Sequence, residues 1–354
     1  MTDSQLVFVA YSSRDKNLTT VIKDGIAKAS PKLNNIRFEP WEFNDIAGTP
    51  LISPIIEKID QSSFIVADIS YLNSNVVYEI GYAIGKKKRV FLIRHTGTLG
   101  DKDLANRVGI FDTLGYSEYS DADALSYRLT GYIDPKPLQI LEGIDNKAPA
   151  YVVEPPHKGD AATMMTSRLK KTRYRYRSFN PSEDSRLSAT DAIKQVSSSA
   201  GVLVSFEPDS KEWAVIHNLR TMFVAGLADG MDKPCLILAP NGFQAPLDVR
   251  DDVKHYAHPD DIAEHVASFA LELTDYLQLV EPPLKVSHNS LQNMAFGDPT
   301  AENEMTTLSA YYMQTEQFTR AVRGEVNLVV GRKGAGKTAL FLQLRVEYEL
   351  TSET

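Results

Sequence analysis

Cysteine occurs once in the 354 residues, at Cys235. No intramolecular disulfide can form, and a lone thiol suits a reducing compartment. Long apolar runs are also missing. Nothing approaches the ~18 consecutive apolar residues of a membrane-spanning helix, and the opening MTDSQLVFVAYSS lacks the basic segment and apolar stretch of a secretory signal. A cytoplasmic protein is the expectation, with no membrane partner. Positive charge is in deficit: 38 Lys and Arg stand against 46 Asp and Glu, a net charge of −8. That argues against a general nucleic-acid coat, though a local basic patch is compatible with it and leaves nucleic acid open as a partner.

What is present is ordinary globular material, 43% hydrophobic and 24% charged, in a chain long enough for two or three domains. Over residues 1–135 strand-like and helix-like segments alternate. Residues 6–11, 36–38, 64–67, 90–93 and 116–119 read as strands, with helical periodicity at 15–29, in a helix leading through 50–59, after 73, and at 121–132. Five strands with intervening helices predict a doubly wound, flavodoxin-like parallel-sheet α/β domain. Residues 134–149, with three prolines, read as a linker.

The pattern then repeats. IEKIDQSSFIVAD from Ile56 aligns with IKQVSSSAGVLVS from Ile193, and AIGKKKRVFLI from Ala83 with ADGMDKPCLIL from Ala228. Residues 151–153 and 174–179 stand in for the first two strands and 260–277 for the closing helix, so 150–280 is expected to be a second copy of the unit. Asp68 corresponds to Ser205 and Glu79 to Val224: a degenerate copy that keeps the scaffold and loses the acids. Within it Lys170, Lys171, Arg173, Arg175 and Arg177 interleave with Tyr174 and Tyr176. Period-two alternation would put the three arginines on one strand face, as an exposed face, an interface or a phosphate-binding patch.

Residues 281–300 form another linker, and a third domain is expected to begin at 300. Residues 327–330 read as a strand, and Gly331, Gly334, Gly336, Lys337 and Thr338 fit G-x-x-x-x-G-K-[ST] ahead of a helical ALFLQLRVEYEL. Glycines let backbone N–H groups close around phosphates, Lys337 would reach the terminal phosphates and Thr338 would hold Mg²⁺. The chain stops 16 residues after Thr338. The expectation is therefore a truncated P-loop domain that needs ATP and Mg only when complete, and is no working ATPase as it stands.

Residues 64–93, FIVADISYLNSNVVYEIGYAIGKKKRVFLI, carry the most chemistry. A strand ends at Asp68, where ligands of such sheets bind, and a helix follows. Its Val76, Val77, Ile80, Ala83 and Ile84 fall within an arc of about 120°, with Glu79 on the border. Glu79 is then either a solvated helix acid or a carboxylate facing a ligand. Tyr11, Ser12, Ser13 and Arg14 follow the first strand and should line the same crevice, as ligand contacts or as core, turn and cap residues. Trp41 and Asn44 lie on a loop that could cover it, with Trp41 either anchoring that loop or stacking on a ligand.

With these residues in place, residues 1–135 resemble bacterial TIR domains and the related nucleoside 2-deoxyribosyltransferase-like fold. VFVAYSSRD, FEPWEFNDIAGTPLISPIIEKIDQSS, DISYLNSNVVYEIGYA and KKKRVFLI match in order. Enzymes of both families cleave N-glycosidic bonds with a glutamate on this helix, and Glu79 is the matching residue. The resemblance implies a carboxylate that stabilises the oxocarbenium character building at a ribose C1′. Nicotinamide leaves NAD neutral and needs no strong acid. A nucleoside base needs protonating, a role open to Asp68, which could instead bind ribose hydroxyls. The deoxyribosyltransferases carry an acid six residues before the glutamate, where this chain has Asn73. That tips the resemblance towards an NAD-cleaving TIR-like effector, with NAD as substrate and no cofactor. Fusion to a P-loop ATPase, as in bacterial anti-phage systems, implies homo-oligomeric assembly. The alternatives are a nucleoside or nucleotide glycosidase or transferase, and a non-catalytic module that senses nucleotides or drives oligomerisation.

Overall fold

The computed structural model describes residues 4–43, 52–97, 102–131, 137–138, 140, 143–280, 312–332 and 334–352. They fall into two units divided at Pro282, the first holding two parallel five-stranded sheets.

The first sheet is built from β1 (Gln5–Ala10), β2 (Ile36–Pro40), β3 (Phe64–Asp68), β4 (Arg89–His95) and β5 (Tyr116–Tyr119), in the order β2-β1-β3-β4-β5. The connecting helices are α1 (Lys16–Ala29), α2 (Ile52–Gln61), α3 (Ser74–Gly85), α4 (Lys102–Val108) and α5 (Ala122–Thr130). Strand alternation sorts the faces. Val7, Val9, Phe64 and Val66 pack with Leu18 and Ile22 of α1 and Leu125 of α5. Phe8, Ile65 and Ala67 pack with Ile55 and Ile59 of α2 and Ile80 and Ile84 of α3. The expected strands and helices of this domain are all present. Helix α4 is an addition, in a stretch whose apolar pattern is weak.

The second sheet, in the order β10-β9-β8-β6-β7, contains β6 (Ala150–Val153), β7 (Tyr176–Phe179), β8 (Gly201–Ser205), β9 (Cys235–Pro240) and β10 (Val253–Tyr256). Its helices are α6 (Asp160–Lys171), α7 (Ala189–Ser197), α8 (Ala214–Gly230) and α9 (Ile262–Val280). The internal repeat survives in fine detail. Lys87 and Asp232 are the only non-glycine residues with positive φ among those described, at 58° and 54°, and both turn the chain out of the helix that follows the central strand. The next residue in each copy is a lysine that caps carbonyls at the end of an earlier helix. Lys88 Nζ donates to Asp60 O (2.7 Å) and Ser62 O (2.6 Å), and Lys233 Nζ to Val196 O (3.0 Å) and Ser197 O (2.6 Å).

The copies meet through their equivalent helices, α3 and α8. A Cβ on Gly81 would stand 2.3 Å from Phe223 O, and one on Gly226 2.2 Å from Tyr78 O. One turn on, Gly85 faces Leu227 O at 2.7 Å and Gly230 faces Tyr82 O at 2.2 Å. Paired glycines four apart on both helices bring the backbones into contact, as no side-chain-bearing residue would allow. Helix α3 is consequently buried from Val76 to Gly85, on every side rather than along one arc.

Two expectations are corrected. The basic stripe is not one strand face: Lys170 and Lys171 end α6, Arg173 and Arg175 precede β7, and only Arg177 lies in the strand. There its guanidinium binds Ser198 Oγ (2.8 Å) and Ser199 Oγ (2.7 Å), which ties it to the turn after α7. In the second unit, residues 327–330 form no strand, and Leu328 and Val330 are exposed. A strand needs a neighbour for its backbone hydrogen bonds, and no other strand occurs in this unit among the described residues. Helices α10 (Glu316–Val322) and α11 (Lys337–Ser352) are formed. Residues 98–101, most of 132–142 and the linker after Val280 lie outside the described residues.

Candidate functional site

Asp68 ends β3 and shares its parity with Phe64 and Val66, so it faces the α1 and α5 side. It is buried and fully engaged. Oδ1 accepts from Ser70 N (3.0 Å), and Oδ2 accepts from Ser70 Oγ (3.0 Å) and Tyr119 OH (2.8 Å). Burial lifts its pKa to about 6, against the pull of those hydrogen bonds. Ser70 Oγ also accepts from His95 N at 2.7 Å, so this acid fastens three strand ends together.

Glu79 lies on the opposite face of the sheet, in α3. It is 5% exposed, and its carboxyl is pushed well above the ordinary range, first by burial and then by the charge of Asp248. Asp248 belongs to the short 3-10 turn Leu247–Val249 between β9 and β10. It is 3% exposed, neither carboxyl oxygen has a hydrogen-bond partner, and burial raises its pKa to about 7. Two acids, one from each copy, thus share a desolvated seam. Like charges there disfavour double ionisation, and each carboxyl is raised above its ordinary range. Asp68, expected to accompany Glu79, is separated from it because residues 64, 66 and 68 project to one face while α3 covers the other. The sequence reading missed Asp248. A lone Asp in QAPLDVRDD carries no motif, and only the folding of one copy against the other brings it to Glu79.

The remaining candidates are dispersed around the end of β1. Tyr11 is buried beside Trp41, ring centroids 6.3 Å apart, and burial raises its phenol, with Glu42 adding to the effect. Neither Tyr11 OH nor Trp41 Nε1 has a hydrogen-bond partner. Ser12 Oγ accepts from Arg14 N at 3.3 Å, a local turn, and Ser13 is exposed. Arg14 sits over the Tyr71 ring at 5.9 Å. Asn73 is the N-cap of α3, its Oδ1 accepting from Asn75 N at 2.8 Å. Asn44 lies outside the described residues. Tyr11 joins the core on the α1 and α5 side of the sheet, the side of Asp68, whereas Trp41 packs against the cores on both sides.

In the second unit, Gly334 and Gly336 hold positive φ, at 85° and 76°, a backbone conformation that favours glycine. Lys337 Nζ folds back onto Gly331 O (2.7 Å) and Arg332 O (3.0 Å). Thr338 lies in the first turn of α11. No group of three or more potential metal ligands occurs among the described residues, and no described helix is long and apolar enough to cross a membrane.

No family model matches the chain. One curated protein, the transposon gamma-delta 80.3 kDa protein of Escherichia coli K12, is 42% identical over 55 residues, 15% of this chain. The chain spans only 8% of that protein's length. Among solved structures, an NAD⁺-bound 3-phosphoglycerate dehydrogenase of Entamoeba histolytica aligns over 80% of this chain and 97% of its own, at 8% identity and a TM-score of 0.20. A likeness that slight carries no argument.

Proposed function

We propose that the first copy is a latent TIR-like N-glycosidase acting on NAD, with Glu79 as the carboxylate that meets the sugar, governed by a P-loop ATPase. The observation that carries it is the buried pair of acids. Burying carboxyls against each other opposes folding, and the scaffold has no need of it, since Val224 fills the same helix position in the second copy. An acid kept at a cost the fold does not require is a candidate for chemistry.

In the reaction, the C1′–N bond breaks and its electron pair leaves with nicotinamide, discharging the pyridinium. Ionised Glu79 offsets the oxocarbenium charge, and water adds to C1′ with loss of a proton. In the closed arrangement Glu79 is desolvated, set beside the charge of Asp248 and out of reach of a ribose. Activity then requires the Leu247–Val249 turn to part from α3, which also lets Glu79 ionise. Assembly of several chains by the P-loop domain, holding ATP and Mg, is the proposed trigger, and anti-phage defence the setting the resemblance implies.

Asp248 favours a second reading. A protonated acid beside Glu79 is the general acid that departure of a neutral base needs, so nucleosides or nucleotides are the alternative substrates. The test is to incubate the full-length, ATP-loaded protein with NAD and with a nucleoside panel, beside Glu79→Gln and Asp248→Asn. The NAD reading expects nicotinamide release that falls at least ~100-fold in Glu79→Gln and survives Asp248→Asn. Release of free base that both variants abolish selects the second. No release from any substrate, with Glu79→Gln biologically active, sinks both and leaves the non-catalytic module.

A further inference from the structure

The second copy has lost the acids but not its crevice. A cavity of about 640 Å³ opens over the N-terminus of α8, between the loop that follows β6 and the segment after α4. That volume lies within the range of small-molecule sites.

Three side chains on its wall carry the argument, Trp213, His217 and Arg220. Trp213 stands at the N-cap of α8, with Lys211 Nζ 5.1 Å from its ring centroid. Its half-buried ring meets the edges of His157 and His217, at 5.8 and 5.9 Å between centroids. His217 is 1% exposed, and its Nε2 lies 2.8 Å from Ser205 O. A carbonyl can only accept, so Nε2 carries the hydrogen and Nδ1 is a bare acceptor, and Nδ1 has no partner. Burial lowers the imidazole pKa to about 4, which keeps the ring neutral and this tautomer in place. Arg220 is 3% exposed and donates to three main-chain carbonyls, Val108 O (2.9 Å), Arg107 O (2.7 Å) and Ser185 O (2.7 Å). Those acceptors fix the guanidinium without neutralising it, and Asp184 acts on it only through space. Its pKa, lowered to about 10 by burial, still leaves it a cation. Arg186, also on the wall, is paired with Asp112, which leaves Arg220 as the buried cation of the lining.

An aromatic wall, a buried acceptor awaiting an N–H, and a buried guanidinium beside a helix N-terminus are complementary to one class of molecule. A planar base with an exocyclic amine complements Trp213 and His217 Nδ1, and an anionic tail complements the Arg220 cation. We infer that this cavity is a nucleotide-binding site for a phosphorylated nucleoside with an amino-bearing base. It is separate from the P-loop. With Val224 in place of the helix glutamate, it holds its ligand without cleaving it. The inference does not rest on the chemistry proposed for Glu79.

The test uses the full chain carrying Lys337→Ala, to silence the P-loop, and Trp41→Phe, which leaves Trp213 as the one tryptophan of the two. Titration with AMP should quench its fluorescence saturably, with a Kd below about 1 mM. Inosine monophosphate, which replaces the amine with a carbonyl, should bind at least ~10-fold more weakly because it leaves Nδ1 facing a lone pair. Inorganic phosphate should compete poorly. His217→Phe should weaken AMP binding at least ~10-fold by calorimetry. Ser185→Phe, at an exposed rim position that leaves the core intact, should do the same by occupying the cavity, and serves if His217→Phe fails to fold. Absence of saturable AMP binding overturns the inference. So does binding that ignores both variants, equal or tighter binding of inosine monophosphate, or phosphate binding as well as AMP.

Discussion

Asp248 is the residue on which the seam between the copies turns, because its carboxyl is raised from 3.8 to about 7 by burial. A carboxyl whose folded pKa exceeds its unfolded value holds its proton more tightly in the folded state. Its contribution to stability is complete below about pH 4 and is lost as the pH rises through about 7. Asp68, raised to about 6, acts in the same direction over a narrower window. Carboxyls with lowered pKa, such as Asp15 and Asp121, act oppositely, so the difference between variants is the informative quantity. Urea unfolding from about pH 4.5 to about 7.5 should give a steeper loss of stability in the native chain than in Asp248→Asn. The slopes should differ by up to about 1.4 kcal/mol per pH unit, the limit for one proton. Parallel profiles would mean that Asp248 titrates as an ordinary surface acid. Side-chain parity was legible beforehand in part: Phe64, Val66 and Asp68 alternate with Ile65 and Ala67, so the face of Asp68 could be inferred. The neighbour of Glu79 could not, since Asp248 lies 169 positions further on (248 − 79) and meets it only through tertiary packing.

At the scale of elements, strands and helices with strong periodicity were readable, and the offset between copies fixed which residues correspond. The partner of α3 was not readable. Gly81 and Gly85, with Gly226 and Gly230, look like scattered helix-weakening residues until the two helices are laid together. The apolar arc of α3 then proves to be one side of a helix with no solvent side. The arginine alternation misled for a related reason: period two implies a strand only where neighbours complete a sheet, and α6 runs through its first two lysines. The glycine seam makes a sharp prediction. Alanine in place of Gly226 favours the isolated helix by roughly 1 kcal/mol, yet its Cβ would stand 2.2 Å from Tyr78 O, a backbone atom that cannot turn aside. Gly226→Ala should destabilise the first unit by at least ~2 kcal/mol in urea unfolding, as overpacking does. Gly115→Ala, whose added carbon meets nothing within 4 Å, should change stability by less than ~0.5 kcal/mol. Equal effects at the two positions would remove close backbone contact as the reason for glycine.

For the molecule as a whole, the two sheets lie in one compact unit, residues 1–282. One apolar cluster runs from Phe8, Ile65 and Ile80 in the first copy to Phe223, Val204 and Val153 in the second. Polar contacts across the seam follow it: Tyr78 OH donates to Asp229, and Lys86 Nζ lies 2.7 Å from Asp232 Oδ1. Cutting the chain after residue 135, where the sequence places the end of the first domain, would uncover the α8-facing side of α3. Gly81 and Gly85 would face water, and the buried helix would lose half of its packing. The same cut would free Glu79 from Asp248, so it tests whether latency and stability share one surface. The fragment 1–135 should show non-cooperative thermal unfolding and bind hydrophobic dyes, whereas the fragment 1–282 should unfold in one transition seen alike by far- and near-ultraviolet circular dichroism. If 1–135 instead unfolds cooperatively with native near-ultraviolet signal, the copies are separable domains. The α3–α8 seam would then be a docking surface that the protein could open without unfolding.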